Sequence, residues 1–326
     1  MPGIVSPLDS TTTRKKLSAE ISARLKKNDF ESIESLANSA RSSKQRIPGG
    51  FWKLYVIYDG LTEPNLEQKS TELEWQEHIG RLEAWKTAMP NSVTAKVATA
   101  GAWVYWAVDA RGEGFAHTVS EHSWQLFRER SQMASDELAE AKKSDLKCPQ
   151  WYVVALSVGL VQNWSRTQYD KVFEEGFRLE PTYYHIQREK LTYLFPQWNG
   201  KNGEQGAFIK ENASRIEGDE GLIMYFLLTS ILQSHYRMQL FQKVDVPWEK
   251  VKEGYQALER HYKTDRFRKN QYAYMAMFGR DIETASAEMQ EIGDDWDPEV
   301  WGTRETFENI KKATEDYRSI QSRNQK

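Results

Sequence analysis

The spacing of the apolar residues constrains the fold of this chain most strongly. They recur at three and four positions along nearly its whole length, and few stretches alternate apolar and polar residues. This spacing places apolar side chains on one face of an α-helix, whereas alternation is typical of a half-buried strand. Turns rich in Pro or Gly, such as Pro48-Gly49-Gly50 and Arg111-Gly112-Glu113-Gly114, interrupt the pattern. The sequence therefore predicts an all-α protein of about 12–14 helices.

The predicted helices are expected to pack in pairs. In residues 149–181, Leu156 is followed by the small Ser157, and Phe173 precedes Gly176 by three positions. Large and small residues at such positions allow two helices to approach closely. Because hairpins of this kind stack on one another, we expect the chain to form an α-α superhelix.

The polarity of both ends sets the predicted domain boundaries. The N-terminal residues carry two Pro, a Gly and a Ser/Thr run, and the C-terminal residues are polar. Segments of this composition bury too little apolar surface to be held in place. We expect a flexible N-terminal tail at 1–13, a single helical-repeat domain at 14–318 and a polar C-terminal tail at 319–326.

Composition bears on compartment and partners. The single Cys148 cannot form an intramolecular disulfide, and the first residues lack the apolar core of a secretory signal, which predicts a cytoplasmic protein. The longest apolar run, Leu222 to Leu228, is far shorter than the roughly 20 residues of a bilayer helix. A net charge of -3 gives no general reason to expect nucleic acid. We expect neither membrane nor nucleic-acid partners, and the oligomeric state stays open.

The motifs of catalysis and metal binding are absent. The chain contains no HExxH, CxxC, GxSxG or GxxxxGK. His185 and Glu189 have the i, i+4 spacing of two metal ligands, but the sequence ties no third ligand to them. The sequence therefore predicts no catalytic residue, no metal site and no cofactor, and it favours a protein that is not an enzyme.

Two charged segments lie near the C-terminal end. Arg260 to Lys269 holds five Lys or Arg with Tyr262 and Phe267, and Asp281 to Glu299 holds eight acidic residues and no basic one. The basic segment could hold phosphate and stack a base. The acidic segment could dock a basic partner or serve as the internal counterpart of the basic one. We interpret both as solvated helix faces.

Part of the spacing resembles the tetratricopeptide repeat. With Pro181 on the closing proline, Leu156 and Ser157 fall on its large-small pair and Gly176 on its last small position, at a period of about 34 residues. Val153 stands where the pattern prefers Trp, and Tyr169 replaces a small residue. The resemblance implies degenerate, tetratricopeptide-like helical hairpins.

The chain also resembles a bacterial family, domain of unknown function 4034. The resemblance rests on DFESIESLANSARSSKQRIPGGFWKLYVIYDGL at 29–61, AWVYWAVDARGEG at 102–114, LFPQWNG at 194–200 and the terminal GRDIETASAEMQEIGDDWDPEVW. It implies a helical-repeat fold and no particular activity.

Aromatic residues supply the candidate binding residues. Trp, Tyr and Phe make up 12% of the chain, and aromatic side chains flanked by Arg contribute much of the binding energy at interfaces. A superhelix has a concave face on which they could lie. The predicted groove residues are Trp103, Trp106, Arg111, Trp151, Tyr183, Tyr184, Arg188 and Trp198.

Two hypotheses on function follow. The first is a non-catalytic scaffold that binds a peptide or protein in this aromatic groove, with Arg111 or Arg188 orienting a carboxylate or carbonyl group. The alternative is an enzyme or small-ligand-binding protein whose polar groups converge only in three dimensions. Convergent polar groups around an apolar pocket would favour the alternative.

Overall fold

The protein is all-α, as the sequence predicts. A computed structural model describes residues 10–66, 68–112, 114–144 and 146–324. Over these residues it has seventeen α-helices, of which fifteen have ten or more residues. The helices are α1 Ser10–Lys26, α2 Phe30–Ser43, α3 Lys53–Thr62, α4 Glu72–Ala88, α5 Val93–Arg111, α6 Glu121–Lys142, α7 Pro149–Val161, α8 Arg166–Leu179, α9 Tyr184–Tyr193, α10 Glu204–Ser214, α11 Gly218–Tyr236, α12 Leu240–Lys243, α13 Trp248–Tyr262, α14 Arg266–Phe278, α15 Ile282–Ile292, α16 Pro298–Trp301 and α17 Arg304–Asn324.

Strand structure is minimal. Two strands of two residues, β1 Arg46–Ile47 and β2 Phe51–Trp52, pair across the turn Pro48–Gly50. No helix in the described part of the chain combines the length and the apolar composition needed to cross a membrane.

The chain divides into two compact units where the sequence predicted one domain. The first, called the 14–190 unit, contains Arg14–Arg46 and Trp52–Lys190. The second, called the 191–326 unit, contains Leu191–Lys326 with Ile47–Phe51 and the described residues before Arg14.

The predicted terminal tails differ from the helices observed at both ends. Residues 1–9 lie outside the described residues, but Ser10 begins α1. Its backbone N–H donates to Asp265 Oδ2 at 2.7 Å, and its side chain is fully buried. At the other end α17 continues to Asn324, past the predicted boundary at 319. The Ser/Thr run at 10–13 is therefore ordered by a long-range hydrogen bond that composition does not encode.

Helix α5 lies at the centre of the 14–190 unit. It packs against α3, α4, α6 and α7. Its alanines at 95, 98, 100 and 102 are buried, as are Val97 and Val104. Small side chains on several faces allow several helices to approach one axis. The small residues of α5 thus explain its central position.

Helices α7 and α8 form the hairpin with the strongest sequence signal. A Cβ atom at Gly176 would lie 2.8 Å from Cβ of Tyr152, so the two helices approach where the pattern requires a small residue. Tyr169 is fully buried in the place of a small residue, and Gly159 lies opposite it. Because Gly159 has no side chain, the larger Tyr169 fits without separating the helices.

Helix α11 is the central helix of the 191–326 unit. It packs against α10, α13 and α14, and Ile223, Phe226, Leu227 and Leu228 are buried on it. The apolar run from Leu222 predicts this all-round burial. Further on, α14 packs against α15, which packs against α17.

One predicted helix start is wrong. The spacing of Thr118 and Glu121 suggests a capping box, but α6 is capped by Ser120, whose Oγ accepts from the backbone N–H of Ser123 at 3.1 Å. Thr118 lies in a short 3-10 helix and donates to the carbonyl of Phe115 at 2.8 Å. The cap is therefore the Ser directly before the helix, which is the usual position for a capping hydroxyl.

Candidate functional site

A cavity of about 240 Å³ lies inside the 14–190 unit. Residues of α3, α5, α7 and α9 line it. The described lining residues are Tyr55, Asp59, Thr62, Gly101, Val104, Tyr105, Val108, Gln150, Val153, Val154, Ser157, Leu160, Val161, Arg188 and Glu189. The cavity is open to solvent on the side of Tyr105 and Val108, which are 44% and 46% exposed.

The apolar wall of the cavity comes from α5 and α7. Helix α5 contributes Gly101, Val104 and Val108, which lie on one face because they are three and seven positions apart. Helix α7 contributes Val153, Val154, Leu160 and Val161. A Cβ atom at Gly101 would be 3.8 Å from Val154 Cγ2, an ordinary van der Waals contact, so a methyl group would fit here without a clash.

Helix α3 contributes a polar stripe. Tyr55, Asp59 and Thr62 follow one another at four and three positions, and all three line the cavity. Asp59 Oδ2 accepts from Ser18 Oγ at 3.0 Å, and Thr62 donates to the carbonyl of Tyr58 at 2.8 Å. One face of α3 therefore presents a phenol, a carboxylate and a hydroxyl to a largely apolar cavity.

Arg188 and Glu189 on α9 form an ion pair at the cavity. Nε and Nη2 of Arg188 donate to Glu189 Oε1 at 3.2 and 2.8 Å. Ser157 Oγ donates to Glu189 Oε2 at 3.0 Å. Nη1 of Arg188 donates to the hydroxyl of Tyr55 at 2.9 Å. Helices α3, α7 and α9 are thus joined by one polar cluster.

Burial sets the protonation state of Tyr55. Desolvation raises its pKa, and the neighbouring Arg188 opposes this rise only in part. The phenol is therefore neutral at neutral pH and serves as a hydrogen-bonding group. The pKa of Tyr105 is also raised, by the nearby Tyr55 and by burial.

His185, the first member of the possible metal pair, is held in an aromatic stack. Its ring lies 3.6 Å from the ring of Tyr55 at an angle of 5°, and 4.1 Å from the ring of Tyr184. Glu189, the second member, is engaged by Arg188 and Ser157. Within the described ranges, no three His, Cys, Asp or Glu side chains are grouped as metal ligands.

Two of the predicted groove residues, Tyr183 and Tyr184, are buried beside this cavity. They are 0% and 4% exposed, and the hydroxyl of Tyr183 donates to Gln150 Oε1 at 2.7 Å. Gln150 in turn lines the cavity. Tyr183 thus positions a lining residue and does not line the cavity itself.

Trp103 and Trp106 belong to a separate aromatic stack in the same unit. Their rings lie 5.1 Å apart, and Trp106 also stacks on Trp75 at 5.9 Å. Arg130 lies 3.8 Å from the centre of the Trp106 ring and forms an ion pair with Glu72 at 2.5 Å. The Trp106 ring and the Arg130 guanidinium therefore already have partners within the protein.

The other three groove candidates lie apart from the cavity. Arg111 donates to the carbonyl of Gly112 at 2.9 Å and lies 5.4 Å from the ring of Trp124. Trp151 donates from Nε1 to the carbonyl of Leu138 at 2.9 Å. Trp198 is half exposed and belongs to the 191–326 unit. Of the eight predicted groove residues, Arg188 is the one that lines the described cavity.

The two charged segments form ion pairs with each other within the 191–326 unit. Lys269 lies 2.6 Å from Glu291, and Arg266 lies 3.1 Å from Asp297. Arg268 is 4% exposed and donates from Nε to the carbonyl of Gly49 at 2.9 Å. Of the interpretations left open by the sequence, the geometry agrees with that of an internal counterpart.

Sequence reasoning missed most of the lining residues, including Tyr55, Asp59, Tyr105 and Ser157. A usable signal was the polar stripe at 55, 59 and 62, because it lies within the otherwise apolar segment LYVIYDGLT. A charged residue on an apolar helix face is costly unless it meets water or a partner.

Comparisons with protein-family models, with curated proteins and with solved structures found no match to this chain. The tetratricopeptide-like repeat type and the resemblance to domain of unknown function 4034 therefore stay predictions.

Proposed function

We propose that this chain is a binding protein and that its ligand is a small molecule with an apolar body, held in the cavity between α3, α5, α7 and α9. The observation that carries this proposal is the convergence of polar groups on an apolar cavity. Valine and leucine side chains form one wall, and Tyr55, Asp59, Ser157 and the Arg188–Glu189 pair form the other. Ligand sites typically combine an apolar lining with a few placed polar groups.

The cavity volume limits the size of the ligand. Sites for drug-sized molecules are about 300–1,000 Å³, and this cavity is about 240 Å³. A ligand of about seven non-hydrogen atoms, at about 0.5–1 kcal/mol per atom, would bind with a dissociation constant between millimolar and micromolar.

The proposal takes up the alternative that the sequence left open. Peptide or protein recognition in an aromatic groove stays a prediction, and its support is weaker. Trp103 and Trp106 stack on each other, and Trp75 and Arg130 cover Trp106 further, so internal contacts already occupy these rings.

A pocket-filling substitution tests the proposal. Binding of 1-hexanol would be measured by ligand-detected NMR and calorimetry for the natural chain, for Gly101→Leu and for Gly101→Ala. Because the space beside Gly101 belongs to the cavity, Leu should abolish binding while Ala leaves it within about threefold, a difference below roughly 0.7 kcal/mol.

Thermal unfolding and circular dichroism would establish that both variants fold. If Gly101→Leu does not fold, Val154→Phe blocks the same cavity from α7. Hexanol that binds folded blocked variants as well as the natural chain, or that fails to bind the natural chain, would contradict the proposed site.

A further inference from the structure

The charges that line the cavity do not cancel. Three charged side chains line it, namely Asp59, Arg188 and Glu189. Arg188 and Glu189 form a pair with two hydrogen bonds between them, so together they contribute no net charge. Among the described residues Asp59 takes part in no ion pair, and its contact is with the neutral Ser18 hydroxyl. The cavity therefore carries one negative charge without a partner.

Neighbouring groups respond to this charge. Burial raises the pKa of Glu63, and Asp59 and Asp109 raise it further. Asp59 also contributes to the raised pKa of Tyr55, where burial is the larger cause. Lys69, the one cation paired with Asp109 here, is 3.3 Å from it and 74% exposed. The surroundings of Asp59 are thus acidic, and Lys53, at the start of α3, contacts Gln45.

Asp59 has capacity for a ligand. An ionised carboxylate offers about four acceptor positions, and Ser18 uses one of them, on Oδ2. Asp59 is exposed and still lines the cavity, so a ligand group can reach it from the open side. The Tyr55 and Tyr105 rings also line the cavity, and aromatic faces attract cations.

An anionic ligand has no comparable site. Arg188 is the one cation lining the described cavity, and three of its donor groups are taken by Glu189 and Tyr55. A carboxylate or phosphate would compete with Glu189 for this cation and would lie near the negative charge of Asp59.

We infer that the ligand of this cavity is an aliphatic amine, bound as its ammonium ion by Asp59 with its carbon chain against the valines of α5 and α7. The inference rests on the proposed function, which supplies the cavity and its apolar wall. Opposite charges attract and like charges repel, so Asp59 should favour an ammonium ion over neutral or anionic ligands of equal shape.

Three probes of equal chain length test the inference on the full chain: hexylammonium, 1-hexanol and hexanoate. We expect hexylammonium to bind about tenfold more tightly than hexanol, and hexanoate to bind more weakly than either. Asp59→Asn should remove the tenfold preference. Glu63→Gln, which removes a nearby charge outside the lining, serves as the matched control and should keep most of the preference.

The outcomes separate the two proposals. Binding of hexanol without preference for hexylammonium would overturn the ligand class and leave the cavity as a binding site. A preference that survives Asp59→Asn would overturn the role of Asp59. Failure of all three probes to bind would overturn the proposed function and this inference together. Gly101→Leu should abolish binding of each probe. Binding that persists in this variant would take place outside the cavity and would contradict both proposals.

Discussion

Arg188 binds the residue that follows it in the chain, with Nε and Nη2 at 3.2 and 2.8 Å from Glu189 Oε1. Neighbours in a helix do not share a face, and the pair meets because the long Arg188 side chain turns back toward the carboxylate. Ser157 holds the other carboxylate oxygen, and Tyr55 holds Nη1. This closed cluster ties α9 to α3 and α7 and leaves Asp59 as the unpaired charge of the cavity.

Arg188→Ala should destabilise the protein by about 2–4 kcal/mol, because it leaves a largely buried carboxylate without its cation. The Glu189 side chain is 10% exposed. The matched control is Arg128→Ala, since Arg128 and Glu121 pair at 2.7 Å while 60% and 83% exposed. This control should change stability by less than about 0.5 kcal/mol. Urea unfolding measures the free energy of unfolding of both variants. Equal losses in Arg188→Ala and Arg128→Ala would contradict the stabilising role of the Arg188–Glu189 pair.

Two glycines in helix interiors should respond in opposite directions to Ala. A Cβ atom at Gly60 would lie 2.4 Å from the backbone oxygen of Ser18, so Gly60→Ala should cost about 1–3 kcal/mol. At Gly101 the nearest atom is 3.8 Å away, so Gly101→Ala should gain up to about 1 kcal/mol from helix propensity. Denaturant unfolding shows whether each variant is more or less stable than the natural chain. A loss of stability in Gly101→Ala would contradict the room for a methyl group there.

His78 should make stability depend on pH below neutrality. The side chain is 2% exposed, its Nε2 lies 2.9 Å from the carbonyl of Leu61, and burial lowers its pKa to about 4. The unfolded chain binds this proton near pH 6.5, so the stabilising contribution is present above that pH and is lost as pH falls toward 4.

The loss amounts to about 3 kcal/mol. Comparison with His78→Gln isolates it from the titration of carboxylates. The difference in unfolding free energy between the natural chain and His78→Gln should shift by this amount between pH 7 and pH 4. A constant difference would show that His78 is not held neutral by burial.

Glu288 should make stability fall as pH rises, which is the opposite of the effect expected for His78. Burial and the nearby Glu291 raise its pKa to about 7. The folded protein therefore binds a proton that the unfolded chain has lost, and this contribution disappears as pH rises through 7. Glu288→Gln should stabilise the protein at pH 8 by about 2 kcal/mol and have little effect at pH 4. Glu283→Gln, at an exposed position of the same helix, should show no such dependence in thermal unfolding.

Local patterns predicted much of the fold correctly. The three-and-four spacing predicted the all-α class, Pro149 marks the observed start of α7, and Gly112 follows the observed end of α5. The Ala-rich composition of α5 agrees with its central position. Each of these features depends on residues that lie within a few helical turns of one another, so it can be predicted from the sequence. The predicted cap at Thr118 was wrong, because the chain offers a second hydroxyl two residues later and α6 begins after Ser120.

The candidate site could not be predicted in the same way. Tyr55, Val104, Ser157 and Arg188 lie on four helices that are far apart in the chain, and no local spacing relates them. Sequence reasoning selected Arg188 as an Arg beside aromatic residues, and the structure places it at the cavity. It also selected Trp103 and Trp106 by the same criterion, and they pack on each other and on Trp75.

Apolar periodicity was sufficient to specify the helices, because each helix buries the face that its own residues define. Which helix faces pack against each other is decided by the tertiary structure of the whole unit. Gly101 lines the cavity where α5 passes α7, and the negative charge there remains on Asp59 because Arg188 pairs with Glu189. Gly101 and Arg188 lie 42 and 129 positions after Asp59 in the chain and on other helices, and tertiary packing alone brings the three together.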